Sequence, residues 1–150
     1  MASATKRKNK QKNKKPKKTR PIVNAATNSR HDLYQASVQN VEAEIDFVEA
    51  TFRELRGRDA VRLREDFCGT GNTSCEWVRR RESNLAYGLD IDAETLAWGR
   101  EHMVGALEPA QRERVILHER NVLEPGDAAG MDAVLAMNFS YWLFMTRAAM

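Results

Sequence analysis

The run Glu65-Asp66-Phe67-Cys68-Gly69-Thr70-Gly71-Asn72-Thr73, followed by Asp90 at the end of Leu85-Ala86-Tyr87-Gly88-Leu89-Asp90, holds the residues best suited to chemistry. Glycines in such a turn let a ligand approach the backbone, because they lack a Cβ and tolerate positive φ. A helix starting directly after the turn offers free N–H groups to an anionic group. A carboxylate about 20 residues further on can accept hydrogen bonds from a ribose diol. The combination predicts an adenosine-containing cofactor at the carboxyl ends of parallel strands. Local physics does not choose between nicotinamide and sulfonium cofactors. Ser74 stands where a dinucleotide fingerprint wants Gly or Ala, and Asp90 suits either. A tight turn that binds nothing is the structural alternative; turn, helix and acid occurring in the right order count against it.

These residues need a scaffold, and the hydrophobic pattern supplies one. Val41, Ile45, Val48, Phe52 and Leu55 recur at helical spacing over 40–55, and Gly57 supplies the stop. Alternating elements follow. Residues 61–67 read as a strand and 72–81 as a helix, with Arg79, Arg80 and Arg81 complementing its dipole. Residues 85–90 read as a second strand. Asp92 caps a helix over 93–107 whose inward residues are Leu96, Met103, Val104 and Leu107. Residues 114–118 and 133–138 read as third and fourth strands, and 141–150 as the start of another helix. The fold class is α/β: a Rossmann-like parallel sheet with flanking helices and about four strands. Arg62 and Arg64 fit a central strand poorly; they belong near its start or under the amphipathic helix, with Asp66 facing solvent. The end carries no stop signal, and an apolar fourth strand would be an unprotected edge. The expectation is the front part of a longer protein, with the last strands of the full fold missing.

Charge divides the chain in two. Residues 6–20 hold ten Lys or Arg and no acid. Removing those ten from the 24 basic residues leaves 14 against 21 acidic ones, so the net charge of +3 conceals an acidic domain. Residues 1–29 are too polar to offset their ordering entropy and read as a disordered basic tail; the domain is 30–150. The tail is either solubilising or a phosphate-tracking arm for RNA. Cys68 and Cys75 form neither a disulfide framework nor a zinc pattern, so they read as reduced thiols and no metal is expected. No apolar run reaches the roughly 20 residues of a membrane span, and no secretory signal precedes the domain. The expected location is the cytoplasm, or the nucleus in a eukaryote, with no membrane partner.

Glu65 to Gly71 resembles the first motif of class I S-adenosylmethionine-dependent methyltransferases, acid-x-G-C-G-T-G, with Phe67 in place of its first glycine. Tyr87-Gly88-Leu89-Asp90-Ile91-Asp92 is similar to their second motif. Asn121-Val122 stands where that family places an Asp after the third strand. Asp132 to Ser140 resembles their fourth motif. The resemblance spans 60–142 and implies S-adenosylmethionine as cofactor. It implies that Glu65 anchors the turn near the methionine end, and that Gly69, Thr70 and Gly71 present backbone. By the same resemblance Asp90 is expected to take the ribose hydroxyls. The resemblance further implies that Ile91 packs on adenine, that Asn121 and Val122 read its edge, and that Asn138 lies by the methyl group. The plainer readings are core for Ile91, a loop cap for Asn121 and a helix-capping acid for Asp90. Tyr34 and His31 precede the amphipathic helix, where such a segment covers the cofactor in many small methyltransferases. His102 and His118 read as structural.

Asn138-Phe139-Ser140-Tyr141-Trp142 is not the Asn-Pro-Pro-aromatic signature of amino-group methylation, and no Pro-Cys pair is present. Neither a general base nor another catalytic residue stands out. The favoured expectation is methyl transfer to a small-molecule acceptor. Two alternatives stand beside it: an RNA- or ribosome-associated methyltransferase using the basic tail, and a non-catalytic cofactor-binding or interaction module.

Overall fold

The computed structural model describes residues 29–38, 40–137 and 140–148. Of the tail expected over 1–29, residues 1–28 lie outside the described residues, as does the site residue Asn138; Ser29 instead adjoins the first helix, its N–H and hydroxyl donating to the Asp32 carboxylate at 2.9 and 2.8 Å. Helices α1 (Arg30–Val38) and α2 (Val41–Arg56) lead into β1 (Arg62–Asp66), α3 (Asn72–Arg80), β2 (Leu85–Asp90) and α4 (Ala93–Gly99). Then come α5 (Pro109–Arg112), β3 (Val115–Glu119) and β4 (Ala133–Ala136). The strands form one parallel sheet in the order β3-β2-β1-β4. β4 therefore returns to the far side of β1. The reversal of strand order opens a crevice beyond the carboxyl end of β1, where open α/β sheets bind ligands, and the glycine turn lies there.

One face of the sheet carries the main core. Ile45 of α2, Trp77 and Val78 of α3, Leu63 of β1 and Ala86 of β2 are buried together, with Val48 and Phe52 packed against them. The Trp77 indole N–H donates to the Val61 carbonyl at 3.1 Å, tying α3 to the start of β1. Leu55, expected on the same face, is exposed; it sits at the border of the apolar stripe in the last turn, before Gly57 ends α2 at φ 66°. Leu96 and Leu107 are buried, and Met103 and Val104 pack on the core as the pattern predicts.

Three local expectations are corrected. The helix over 93–107 does not run through. After Gly99 the chain widens into a π-helical turn over Arg100–Val104, closed by Gly105 N–H donating to the Arg100 carbonyl at 3.0 Å. Of the helix expected over 141–150, the described residues 141–148 form none of α type: a 3₁₀ turn spans Ser140–Leu143, and the Phe144 ring then meets Phe67 at 5.8 Å. Asp66 does not face solvent. Arg64 and Asp66 share the face of β1 opposite Leu63 and Glu65 and form a two-pronged ion pair at 2.8 and 2.9 Å, both largely buried. That pairing explains how a central strand holds Arg64, while Arg62 is exposed at the strand's start. Helix α1 was not foreseen. Nor was α5, although Glu108-Pro109-Ala110-Gln111 carries its capping box and its proline at the first position.

Candidate cofactor site

The turn after β1 is built from left-handed residues. Gly69 and Gly71 have φ 54° and 71°, and so does Phe67, at 58°. Phe67 thus adopts the backbone that the first glycine of the motif would take freely. For a bulky L-residue that geometry costs about 1–2 kcal/mol. The turn is held from below: Cys68 N–H donates to the Leu89 carbonyl at 3.0 Å, and Gly71 N–H to the Cys68 carbonyl at 2.9 Å. It is held from the side by α4. Gly99 lies so close to the turn that a Cβ there would collide with the Thr70 carbonyl.

Asp90 ends β2 beside this turn. One carboxylate oxygen accepts from Gly69 N–H at 2.7 Å and the other from Asp92 N–H at 3.0 Å. The carboxylate therefore shapes both loops, and each oxygen keeps a second acceptor position for a ligand. Asp92 caps α4 as expected, accepting from Thr95 N–H at 3.1 Å and from its hydroxyl at 2.9 Å, so Asp90 is not the helix cap.

Glu65 is buried beneath the turn and points at the start of α3. One of its oxygens accepts from Ser74 N–H at 2.9 Å and from the Ser74 hydroxyl at 2.7 Å. Removal from water outweighs those bonds and pushes its pKa up to about 7. Ser74, the departure from a dinucleotide fingerprint, is thus the partner that secures Glu65.

A cavity of about 550 Å³ opens above the turn, within the usual range for a cofactor pocket. Gly69, Thr70, Asp90, Ile91, Asn121 and Val122 all line it. Glu65 and Gly71 do not; Glu65 braces α3, and Gly71 starts that helix with Leu117 packed close to it. Ile91 is an exposed rim residue rather than core. The Asn121 side-chain oxygen accepts from Leu123 N–H at 3.0 Å, so it does cap its own loop, and what remains for a ligand is its amide group and a second lone pair.

Helix α1 closes one side. His31 and Tyr34 line the cavity. The Gln35 amide donates to the Thr70 hydroxyl at 2.7 Å, and the His31 ring lies against Trp98 at 4.8 Å. Sequence reading missed Thr95, Leu123, Leu143 and Phe144 as lining residues. Thr95 carries a signal, three residues beyond the Asp92 cap. Phe144 has none, because its contact with Phe67 spans most of the domain.

The remaining candidates hold the fold together, and of them Cys68 also touches the cavity wall. Both cysteines are buried and free, and burial pushes the Cys75 thiol up to about 12 and Cys68 well above its ordinary value. His118 contacts the Asp127 carboxylate at 3.2 Å, and His102 the Trp98 carbonyl at 3.0 Å. Arg80 and Arg81 pair with Asp46 and Glu49 of α2, while Arg79 pairs with Glu76. The carbonyls around the end of α3 are taken instead by Arg114, which donates to Val78, Arg81 and Asn84. No helix among the described residues is long and apolar enough to cross a membrane.

No protein-family model and no curated protein matches the sequence. Solved structures do match by fold. The sugar N-methyltransferase KedS8 from Streptoalloteichus sp ATCC 53650 superposes with TM-score 0.60 at 20% identity, over 87% of this chain and 49% of its own. The S-adenosylmethionine-bound amino pentose methyltransferase CalS10 from Micromonospora echinaspora gives 0.57 at 25% identity, over 79% and 45%. The plantazolicin methyltransferase BpumL, solved with a triazolic desmethylPZN analog and SAH, gives 0.55 at 9%, over 71% and 39%. The chain spans about half the length of the two sugar methyltransferases. With four parallel strands, a glycine turn at the switch point and an acid ending β2, the chain has the Rossmann-like fold of the S-adenosylmethionine-dependent methyltransferases.

Proposed function

We propose that the cavity binds S-adenosylmethionine and that the protein directs methyl transfer to a small-molecule acceptor. The observation that carries this reading is the Asp90 carboxylate, which lines the cavity while bonded to Gly69 of the turn. That places a carboxylate with two acceptor oxygens beside the glycine backbone of the turn, a pairing suited to a ribose diol and its neighbouring groups. Gly69 and Thr70 present backbone, Asn121 and Val122 border the nucleoside, and Ile91 covers it at the rim. Glu65 and Gly71 secure the turn from beneath. Bound there, the cofactor supplies an electrophilic methyl group on a sulfonium. The protein's task is then chiefly to hold an acceptor in line and exclude water, and positioning alone is worth up to about 7–11 kcal/mol in well-oriented reactions. CalS10 is an amino pentose methyltransferase and KedS8 a sugar N-methyltransferase, which supports a small acceptor.

Calorimetry with S-adenosylmethionine, S-adenosylhomocysteine and NAD tests the reading. The adenosyl sulfur ligands are expected to bind and NAD to bind at least ten-fold more weakly. Tight NAD binding with no response to either sulfur ligand would overturn it. Deleting residues 1–29 is expected to leave turnover on a small acceptor intact; a loss of turnover together with RNA affinity would favour the RNA-directed alternative.

A further inference from the structure

The cavity has two chemically different sides. Asp90, Asn121 and Gly69 form a polar side suited to a nucleoside. Phe67, Leu143 and Phe144 form a carbon-rich side, with the two phenyl rings 5.8 Å apart and tilted by 56°. Among the described residues His31 is the basic side chain of the lining and Asp90 its carboxylate, and both stand apart from the phenyl pair in sequence. An acceptor's phosphate or carboxylate buried against the two phenyl rings would lose its water without gaining a hydrogen-bonding partner from them.

Phe67 makes the carbon-rich side more than an accident of packing. Its φ of 58° is strained for a phenylalanine and free for a glycine. Backbone strain of this kind persists where surrounding contacts over-determine it and gathers at ligand sites. Here Phe67 meets Phe144, from the segment after β4, and both rings pack against the cluster of Leu89, Val122 and Ala128, so the product is an aromatic surface standing on the cofactor turn itself. An aromatic ring there offers offset or edge-to-face contact to a second ring.

Resting on the methyl-transfer reading above, we propose that Phe67, Phe144 and Leu143 form the acceptor platform, and that it selects a neutral, ring-bearing, apolar small molecule over an anionic one. Phe67 acts by holding the acceptor and takes no part in proton transfer.

The test compares 2-naphthol with 2-naphthyl phosphate, which share a ring system and differ in charge. Each is titrated by calorimetry into the full chain saturated with S-adenosylhomocysteine. 2-Naphthol is expected to bind at least ten-fold more tightly than its phosphate. Phe67→Gly is expected to weaken 2-naphthol about ten-fold and to change S-adenosylhomocysteine affinity less than two-fold. Phe144→Ala is the second variant and should weaken 2-naphthol similarly. Equal or tighter binding of the phosphate overturns the proposal, as does unchanged 2-naphthol affinity in both variants. A parallel loss of S-adenosylhomocysteine affinity in Phe67→Gly overturns it too, by assigning the ring to the nucleoside. If the wild-type chain binds neither sulfur ligand, the methyl-transfer reading fails. The same naphthol pair titrated without cofactor then still decides whether the wall prefers a neutral ring.

Discussion

Replacing Glu65 by Gln should abolish a specific pH dependence of stability. Glu65 is 4% exposed, and burial raises its pKa from an ordinary 4.5 to about 7. Between those two values the folded protein holds a proton that the unfolded chain has released. The folded state therefore binds more protons, and stability must fall as pH rises through that window. Each unit of separation is worth about 1.4 kcal/mol, so the loss between pH 4.5 and 7 approaches about 3 kcal/mol. A glutamine keeps an oxygen to accept from Ser74 N–H and its hydroxyl and carries no charge. Wild type and Glu65→Gln should thus be about equally stable near pH 4.5 and diverge as pH rises, the variant becoming more stable by up to about 3 kcal/mol at pH 7.5. Urea denaturation of both proteins across that range measures the difference directly. Parallel stability curves would refute the reasoning. A variant that is the less stable of the two at pH 7.5 would mean that the bonds from Ser74 outweigh the cost of burial.

Asp90→Ala removes the acceptor on the polar side and should weaken S-adenosylmethionine by about 1.5–3 kcal/mol, the worth of hydrogen bonds to a charged group; unchanged affinity by calorimetry would count against the site. Because Asp90 also holds Gly69 and Asp92 N–H, the same variant should melt at a lower temperature. Gly99→Ala sets a methyl group against the Thr70 carbonyl and should cost about 1–3 kcal/mol by overpacking, readable in a urea melt. Asp132 accepts from Val61 N–H at 2.8 Å, Arg62 N–H at 3.0 Å and Arg58 at 2.7 Å, which hold its carboxyl well below the usual range. Its stabilisation is present above its unfolded value of 3.8 and disappears as pH falls through the lower folded one. Asp132→Ala should cost about 1.5–3 kcal/mol at neutral pH and flatten the acid limb of the stability curve.

The alternation of elements was legible because it follows from short-range chemistry. Helical spacing marked Ile45, Val48 and Phe52 as one buried face, and Gly57 ends their helix. Asp92 announced the start of α4, and the glycine turn announced a place where backbone lies open to a ligand. Periodicity, capping and glycine's freedom act over a few residues, so they can be read in order along a chain.

Long-range contact decided the rest. Only the folded sheet brings Asp90 onto Gly69 N–H and separates cavity-lining Thr70 from Glu65 and Gly71 beneath it. Asp66 is buried because Arg64 meets it on one face of a strand covered in the tertiary structure. Phe144 reaches Phe67 across 77 positions of sequence, and no local pattern encodes that meeting. Local signals state what each segment can become. Which side chains face each other, and at what cost in strain or burial, depends on the packing of all segments at once.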